Sequence, residues 1–256
     1  EADDAVDTKH SGKQAQVSIQ QKAIEPVFDT RSAFQIITEL AKHLGVGKYY
    51  NFTLDEANAL RLKPFGVSLE SLKAKGVLPV GPQWKEGFVK ADTPSGKVEI
   101  ASAVLEKLGY PAVPRWEAPL VSPDDKDPHS FRLIHGKQAY HTHAMTANQP
   151  YLMAISRRYD MIRLWINRSR AEKIGLKDGD VVQMKSMIGE GKIRVKLTEG
   201  LHPSCVWLPS GYGNFSKYLT TAYDQGVSYN DFLPTLFDPA VGHVMASEVI
   251  VQVKKV

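Results

Sequence analysis

The stretch "IRLWINRSRAEKIGLKDGDVVQMKSMIGEGKIRVKLT", residues 162–198, decides the fold because short strand-like segments alternate in it with helix and turn signals. Strands are predicted at "IRLWIN", "DVVQMKS" and "GKIRVKLT", which are rich in β-branched and aromatic residues. Asn167 is placed to cap a short helix after the first strand. Asp178 and Gly179 predict a tight turn, since glycine adopts positive φ freely. Asp180 can then bond the amides of this turn.

Three further strands flank this stretch in the sequence. They are predicted at "FRLIHG" (131–136), "CVWLP" (205–209) and "EVIVQVKK" (248–255). About six short strands with few helices favour a closed barrel, because closure removes exposed sheet edges.

The sequence before residue 120 has a different texture. Residues 1–25 are polar and aperiodic, which indicates an extended tether. Short helices follow: one with Thr30 or Asp29 as its cap, one opened by the capping-box spacing of Thr53 and Glu56, and two more in residues 67–76 and 101–109. Prolines recur between residues 111 and 128 and block regular structure. We therefore predict a helical and irregular segment with a Pro-rich linker over 1–120, and a barrel domain over 121–256.

Composition limits the function classes. The chain has 256 residues, 43% of them hydrophobic, and a net charge of only +4, which by itself implies no nucleic-acid partner. Residues 157–177 nevertheless form a basic zone suited to anionic ligands. The single cysteine, Cys205, excludes an internal disulfide and a cluster built from several thiolates of this chain. No apolar run approaches the length of a membrane span.

The stretch "HTHAMTANQPYL", residues 141–152, fits neither a regular strand nor a regular helix. His141 and His143 suggest a metal site, but no third ligand lies nearby in the sequence, so a polar loop is favoured. In "PSGYGNF", residues 209–215, the backbone around Gly211 and Gly213 can approach a phosphate closely, although this pattern alone is weak. From the residues alone, a metal site, an anion-binding loop and a polar turn stay open.

Four segments in this order are similar to one known family. They are "TPSGKVEIAS" (93–102), "FRLIHGKQAYHTHAMTANQPYL" (131–152), the run from Leu164 to Gly213, and "SYNDFLPTLFDPAVGH" (228–243). Together they resemble the C-terminal part of a molybdopterin oxidoreductase of the dimethyl-sulfoxide reductase family. The version in residues 135–152 looks closest to catalytic subunits of thiosulfate and polysulfide reductases. The resemblance implies that the barrel is a six-stranded double-psi β-barrel of the aspartate-decarboxylase-like type, preceded by a mostly helical segment.

The resemblance also implies a bis(molybdopterin guanine dinucleotide) cofactor of molybdenum and a set of residues that contact it. By position, three side chains of the 141–152 stretch lie along the pterin and phosphates, Asn167 contacts a guanine end, and Asp180 shapes the adjoining turn. The loop Gly211–Gly213 faces the cofactor, and Asn230 faces the pterin. The full set expected to bind cofactor is His141, Thr142, Thr146, Asn167, Asp180, Gly211, Tyr212, Gly213 and Asn230. No catalytic residue and no metal ligand is expected within this chain.

The chain departs from the family pattern, and these differences predict that it is part of a longer polypeptide. The resemblance places the iron–sulfur cluster and the molybdenum ligand upstream of this region, so Cys205 is not expected to bind the metal. We expect a C-terminal fragment, inactive and free of cofactor by itself, that functions with N-terminal domains of the same polypeptide. The resemblance further implies an iron–sulfur electron-transfer subunit, a membrane anchor subunit and a periplasmic location. No nucleic-acid partner is expected, because the net charge is modest.

Three alternatives remain at this stage. The least favoured is a nucleic-acid binder that uses the basic zone of residues 157–177, and the modest net charge argues against it. Within the family, tetrathionate and arsenate reductases share the same pattern. Outside it, double-psi barrels also serve as binding modules without a redox role, because a fold alone does not determine function.

Overall fold

The computed structural model describes residues 5–9, 14–83 and 91–256 of the chain. These residues form two compact units, one within residues 1–92 and the other within residues 93–256. None of the helices in the described part of the chain has the length and apolar character that crossing a bilayer requires.

The first unit contains a three-stranded antiparallel sheet in the order β1-β2-β3. The strands are β1 (Ala5–Lys9), β2 (Gln14–Gln20) and β3 (Val77–Gln83). The expectation of an extended tether over residues 1–25 is wrong, because strand β2 lies within this range and pairs with a strand on each side. Val17 and Ile19 alternate along β2, so both face one side of the sheet and enter the core with Leu62, Leu72 and Val80.

The described residues of the first unit also form three α-helices, α1 (Ala33–His43), α2 (Leu54–Leu62) and α3 (Leu69–Lys75), and two short 3-10 helices, Gly47–Tyr50 and Lys63–Phe65. The predicted capping box of α2 is confirmed, with Thr53 Oγ1 accepting from the Glu56 amide. The predicted cap of α1 is wrong. Ser32 Oγ rather than Thr30 or Asp29 accepts from the Gln35 amide, and Gln35 Oε1 accepts from the Ser32 amide.

The second unit is built on a closed barrel of six strands in the order β4-β8-β5-β7-β6-β9. The strands are β4 (Ser130–Gly136), β5 (Leu164–Asn167), β6 (Val181–Lys185), β7 (Glu190–Thr198), β8 (Cys205–Pro209) and β9 (Ile250–Lys255). The pairs β4·β8 and β5·β7 are parallel and the other four are antiparallel. All six predicted strands are present, and the predicted double-psi barrel is confirmed.

The barrel interior is filled by every second residue of each strand. Phe131 and Leu133 of β4, Val206 and Leu208 of β8, and Met184 of β6 are completely buried in one apolar cluster. This alternation follows from the two-residue period of a strand. The barrel is therefore packed solid, and any ligand site lies at its ends or on its outside.

The boundary between the units differs from the predicted boundary at 120/121. The compact unit that holds the barrel begins at Thr93, because the segment before the barrel is bonded to it. Tyr110 Oη donates to the carbonyl of Pro239 over 3.0 Å, and the Val121 amide donates to Glu248 over 3.3 Å. The short helix α4 (Ala103–Lys107), capped by Ser102, belongs to this second unit.

Two α-helices and one short 3-10 helix, Tyr229–Phe232, lie between barrel strands. The helix α6 (Arg168–Lys173) begins after Asn167, as predicted. The helix α5 (Pro150–Arg158) was not predicted from the polar stretch 141–152, whose last three residues form its first turn. Gln149 caps α5 by accepting from the Leu152 amide, and Pro150 occupies its first position, where no amide donor is needed.

Candidate cofactor-binding site

A cavity of the second unit lies where β4 and β8 end. These two strands are parallel neighbours, with Gly136 paired to Pro209, so the loops that follow them leave the barrel side by side. Together with residues 228–231, the loops enclose a cavity of about 720 Å³. We call it the barrel-end pocket. Its volume falls within the range of small-molecule and cofactor sites.

A glycine turn forms one wall of the barrel-end pocket. Gly211 and Gly213 have φ angles of 96° and 78°, in the left-handed region. A Cβ atom on Gly211 would come within 2.7 Å of the carbonyl oxygen of His143, and one on Gly213 would overlap the backbone at Ser228. Both positions therefore need glycine for two reasons, the backbone angle and the close approach of another loop.

The pocket lining mixes hydrogen-bond donors with one carboxylate. Lys137 brings a positive charge, Asp231 a negative charge, Asn230 an amide and His143 an imidazole ring. Hydroxyls of Ser210 and Ser216 add further polar groups. This set can bind an anionic group at one point and a ring bearing N–H donors at another.

An aromatic pair stands at the mouth of the barrel interior. The ring of His135 lies 3.8 Å from the ring of Tyr229, and Tyr229 Oη donates to the carbonyl of Ala246. Burial lowers the pKa of His135 and raises the pKa of Tyr229 to about 12. Both groups are therefore neutral near pH 7 and offer a flat, uncharged surface next to the polar lining.

Behind the glycine turn lies a buried hydrogen-bond network. Tyr212 Oη is 2.8 Å from Gln138 Oε1 and 3.0 Å from Ser156 Oγ. Ser156 Oγ is 2.8 Å from His141 Nε2, and His141 Nδ1 is 3.1 Å from Thr146 Oγ1. The network joins the 137–149 loop, helix α5 and the glycine turn, so it fixes the wall of the pocket from behind.

The predicted site residues fall into three groups in the structure: those that line the barrel-end pocket, those in the adjoining loop, and those outside the pocket. Gly211, Tyr212, Gly213 and Asn230 line the barrel-end pocket together. His141, Thr142 and Thr146 lie in the adjoining loop. There Thr146 Oγ1 accepts from the Thr142 amide over 2.9 Å, and His141 is only 7% exposed.

Asn167 is not brought into the barrel-end pocket. Strand β5 runs antiparallel to β8, with Trp165 opposite Trp207 and Ile166 opposite Val206, so Asn167 lies level with the start of β8. The pocket lies beyond the other end of β8, roughly four residues or about 13 Å away along the strand. The Asn167 side chain caps α6 and donates to the carbonyl of Leu201. The predicted contact between Asn167 and a guanine therefore lies outside the barrel-end pocket.

Asp180 also lies outside the barrel-end pocket. Its carboxylate accepts from the Lys177 amide over 2.8 Å and from Lys255 Nζ over 2.7 Å. These contacts lower the pKa of Asp180, with the lysine side chain as the main cause. The expectation that Asp180 shapes this turn is confirmed, and its relation to a cofactor stays a prediction.

The structure adds pocket residues that were not among the predicted ones. Lys137, Asp231 and His135 line the pocket, and Gln138 and Ser156 support it. Lys137 directly follows β4 and Asp231 is next to Asn230, which is a usable signal, and His135 is the last residue but one of β4. Gln138 and Ser156 give none, because their roles depend on the contact between distant segments. Among the described residues, no group of three or more His, Cys, Asp or Glu side chains has the geometry of a metal site.

Comparison with known proteins agrees with this architecture. Residues 131–250 match the family model described as "Molydopterin dinucleotide binding domain". The chain is 26% identical to the thiosulfate reductase molybdopterin-containing subunit PhsA of Salmonella typhimurium, over 92% of this chain and 34% of that protein. It is 24% identical to the arsenate respiratory reductase molybdopterin-containing subunit ArrA of Chrysiogenes arsenatis, over 88% of this chain and 35% of that protein.

A solved structure shows the same fold. Acetylene hydratase from Pelobacter acetylenicus superimposes with a TM-score of 0.68 at 19% identity, over 99% of this chain and 37% of that one. The chain spans about a third of the length of the curated relatives it matches. The matched domain takes in strands β5 to β8, most of β4 and the pocket loops, and over most of its length the chain is similar to molybdopterin-containing reductase subunits of the dimethyl-sulfoxide reductase family.

Proposed function

We propose that this chain binds a molybdopterin guanine dinucleotide at the barrel-end pocket, as the cofactor-binding part of a thiosulfate- or polysulfide-reducing enzyme. The observation that carries the proposal is the convergence of the Gly211–Gly213 turn, Asn230 and Lys137 on one cavity within the matched domain. These groups come from three separate loops, and the fold alone brings them together.

The lining suits the chemistry of such a cofactor. Its pyrophosphate is matched by the Lys137 ammonium and by the hydroxyl of Ser216. Its pterin and guanine rings carry neighbouring N–H donors, which the Asp231 carboxylate and the Asn230 amide oxygen can accept. The neutral rings of His135 and Tyr229 offer a surface for a flat heterocycle.

The role of this chain is placement. When bound, the molybdenum cofactor supplies the electron transfer that reduces a sulfur–sulfur bond. The glycine turn holds the backbone close to the ligand, and Lys137 offsets the phosphate charge. The solid barrel core beneath the pocket excludes water from one side.

Support for a sulfur substrate comes from the matched thiosulfate reductase subunit, which covers most of the chain. An arsenate reductase is the second candidate, because the matched arsenate respiratory reductase subunit is nearly as similar over nearly as much of the chain. The proposal for the parent enzyme includes an iron–sulfur electron-transfer subunit, a membrane anchor subunit and a periplasmic location. With one cysteine in its sequence, the 256-residue chain alone is expected to show no reductase activity with reduced viologen dyes.

The proposal is tested by titrating the chain calorimetrically with GDP and with cofactor extracted from a molybdoenzyme. We expect saturable binding of both, weakened roughly tenfold by Lys137→Ala and by Asn230→Ala, the effect of losing one charge-assisted or neutral contact. Lys192→Ala, an exposed lysine of β7 outside the pocket, is the control and leaves the affinity unchanged. Absence of binding, or equal effects of all three substitutions, would contradict the proposal.

The substrate is tested with the complete parent enzyme. Viologen-coupled turnover is compared for thiosulfate, polysulfide, tetrathionate and arsenate. A clear preference for arsenate would replace the sulfur-compound assignment by the second candidate.

A further inference from the structure

One wall of the barrel-end pocket is a short 3-10 helix, Tyr229–Phe232. Its first and last residues are buried in the barrel core, whereas Asn230 and Asp231 between them are exposed and line the pocket. The places of the Asn230 and Asp231 side chains therefore depend on how the backbone of residues 227–232 is held against the barrel.

The hairpin that joins β6 and β7 lies directly against this segment. A Cβ atom on Gly189, in the turn of the hairpin, would come within 2.3 Å of the carbonyl oxygen of Asp231. A Cβ atom on Gly191, in the first turn-side part of β7, would come within 2.8 Å of Val227 Cγ1. Only glycine leaves room for so close an approach, so residues 227–232 rest on the hairpin at two points.

Glycine is needed at these two positions because of space and not because of backbone conformation. Neither Gly189 nor Gly191 has a φ angle in the left-handed region. This distinguishes them from Gly213, whose φ of 78° disfavours a side chain even in open space. The two hairpin glycines are required by what lies next to them, which is the segment that forms the pocket wall.

The turn of the hairpin is fixed from inside by Ser186. Its Oγ accepts from the amides of Ile188 and Gly189 over 3.0 and 3.1 Å, and its own amide donates to the carbonyl of Gly189 over 2.8 Å. Ser186 is only 8% exposed. Because a serine hydroxyl closes the turn in this way, the hairpin offers a defined surface to the segment that rests on it.

We propose that the β6–β7 hairpin positions the pocket wall that carries Asn230 and Asp231, with Gly189 and Gly191 as the positioning residues. Neither glycine lines the pocket. Both act through the backbone of residues 227–232, so a side chain at either position displaces the two polar side chains from the ligand. The consequence for ligand binding rests on the proposed function, whereas the seating of the segment follows from contacts within the protein.

The seating is tested first in the 256-residue chain without ligand. Gly191→Ala adds a methyl group that meets the Val227 side chain. We expect the amide resonances of residues 227–232 to shift, although these residues lie far from position 191 in the sequence. Unchanged resonances at residues 227–232 would overturn the proposal.

Gly200→Ala is the matched control. Gly200 lies two residues beyond β7 and also has no left-handed φ angle. A Cβ atom there meets Thr198 Oγ1 at 3.5 Å, which is an ordinary contact. This variant is expected to leave the resonances of residues 227–232 and the affinity for GDP unchanged.

The effect on binding is measured by calorimetric titration with GDP. Gly191→Ala is expected to weaken binding roughly tenfold, the effect of one misplaced polar contact. Adding Val227→Ala removes the atom that the new methyl group meets. The Cβ atom of residue 227 is then 3.5 Å from that methyl group, and Phe232 Cζ is 3.4 Å from it. The double variant is therefore expected to bind GDP within about threefold of the wild type.

This rescue separates positioning from general damage to the fold. If each substitution only weakened the fold, their effects would add, and the double variant would bind no better than Gly191→Ala. That result would overturn the proposal.

Gly189→Ala gives a different pattern, because its methyl group meets a backbone oxygen that no side-chain truncation removes. We expect a larger loss of GDP affinity than for Gly191→Ala, and no recovery when Val227→Ala is added. A Gly189→Ala variant that folds and binds GDP like the wild type would overturn the proposal. Should Gly189→Ala not fold, Gly191→Ala and its double variant decide the question.

The same measurements distinguish this proposal from the proposed function. Shifts at residues 227–232 in ligand-free Gly191→Ala, with no GDP binding by the wild type, would uphold the seating and reject the proposed ligand. GDP binding by the wild type that Gly191→Ala leaves unchanged would uphold the ligand and reject the positioning role of the hairpin.

Discussion

Gly213 is the residue at which the pocket wall tolerates substitution least. Gly213→Ala adds a methyl group against the backbone of Val227 and Ser228, in addition to forcing alanine into the left-handed region. We expect the free energy of unfolding to fall by about 3 kcal/mol, of which 1–2 kcal/mol comes from the backbone angle and the rest from the overlap. Denaturant unfolding followed by tryptophan fluorescence measures this loss.

Gly179→Ala is the matched control for that substitution. Gly179 has φ of 85°, but no other atom lies within 4 Å of a Cβ built there. Only the cost of the backbone angle, about 1–2 kcal/mol, is expected. Equal losses in the two variants would show that the approach of residues 227–228 to the glycine turn is not as close as the structure has it.

His141 makes the stability of the second unit depend on pH. Burial lowers the pKa of His141 below its ordinary value of about 6.5, although a hydrogen bond at Thr146 opposes the shift. Between the lowered pKa and 6.5 the unfolded chain binds more protons, so stability rises with pH and is lost as pH falls. The loss cannot exceed about 1.4 kcal/mol per pH unit from this residue.

The dependence is measured by unfolding the wild type and His141→Gln between pH 7.5 and 5.5. The wild type is expected to lose more stability over this range than the variant. His135, whose pKa burial also lowers, contributes with the same sign in both proteins. The carboxylates of Asp127, Asp178 and Asp180, whose pKa values are lowered, titrate below this window. Parallel pH profiles would contradict the burial of a neutral His141.

Single residues show where sequence reasoning reached the site and where it stopped. The capping role of Asn167 follows from its position before a helix, and the structure shows it. Its distance from the pocket does not follow from local sequence, since it depends on β5 running antiparallel to β8. Tyr212 and Asn230 share the pocket as expected, whereas the contact that supports Tyr212 from behind joins segments too far apart in sequence to be read locally.

At the scale of elements, helix α5 connects the pocket wall to a small apolar cluster. Met153 of α5 is fully buried and packs with Ala147, Tyr212 and Ala222. Met153→Ala is expected to cost 2–5 kcal/mol, because it leaves a cavity under Tyr212. GDP binding should weaken as well, since the wall loses its support.

Tyr151→Ala is the control on the same helix. Tyr151 is 79% exposed, so its replacement is expected to change stability by no more than about 0.5 kcal/mol. Thermal unfolding of both variants measures the difference. Similar effects would mean that α5 does not bury the face that carries Met153.

The elements differ in how well the sequence predicts them. The six barrel strands were predictable, because each has an alternating or β-branched pattern bounded by turn residues. Helix α5 was not, since its start coincides with a polar stretch and its apolar positions are few. Strand β2 was missed for a different reason. Its polar residues hide the alternation of Val17 and Ile19, and only pairing with β3 makes that side a core.

For the whole molecule, the strand order of the barrel explains why the site lies at one end. The parallel pair β4·β8 brings two strand ends together, and the loops beyond them supply the glycine turn and the Lys137 segment. Local sequence predicts the strands but not their order, because the order depends on contacts between residues far apart in the chain. The family resemblance supplied the type of barrel, a six-stranded double-psi barrel, and the structure confirmed it.

The most direct test of the account is to map amide chemical-shift changes across the whole chain as GDP is added. The account predicts that the changes concentrate in residues 135–137, 210–216 and 228–231, around the barrel-end pocket, and saturate together. Changes confined to the turns around Asn167 and Asp180, with the barrel-end residues unaffected, would contradict it.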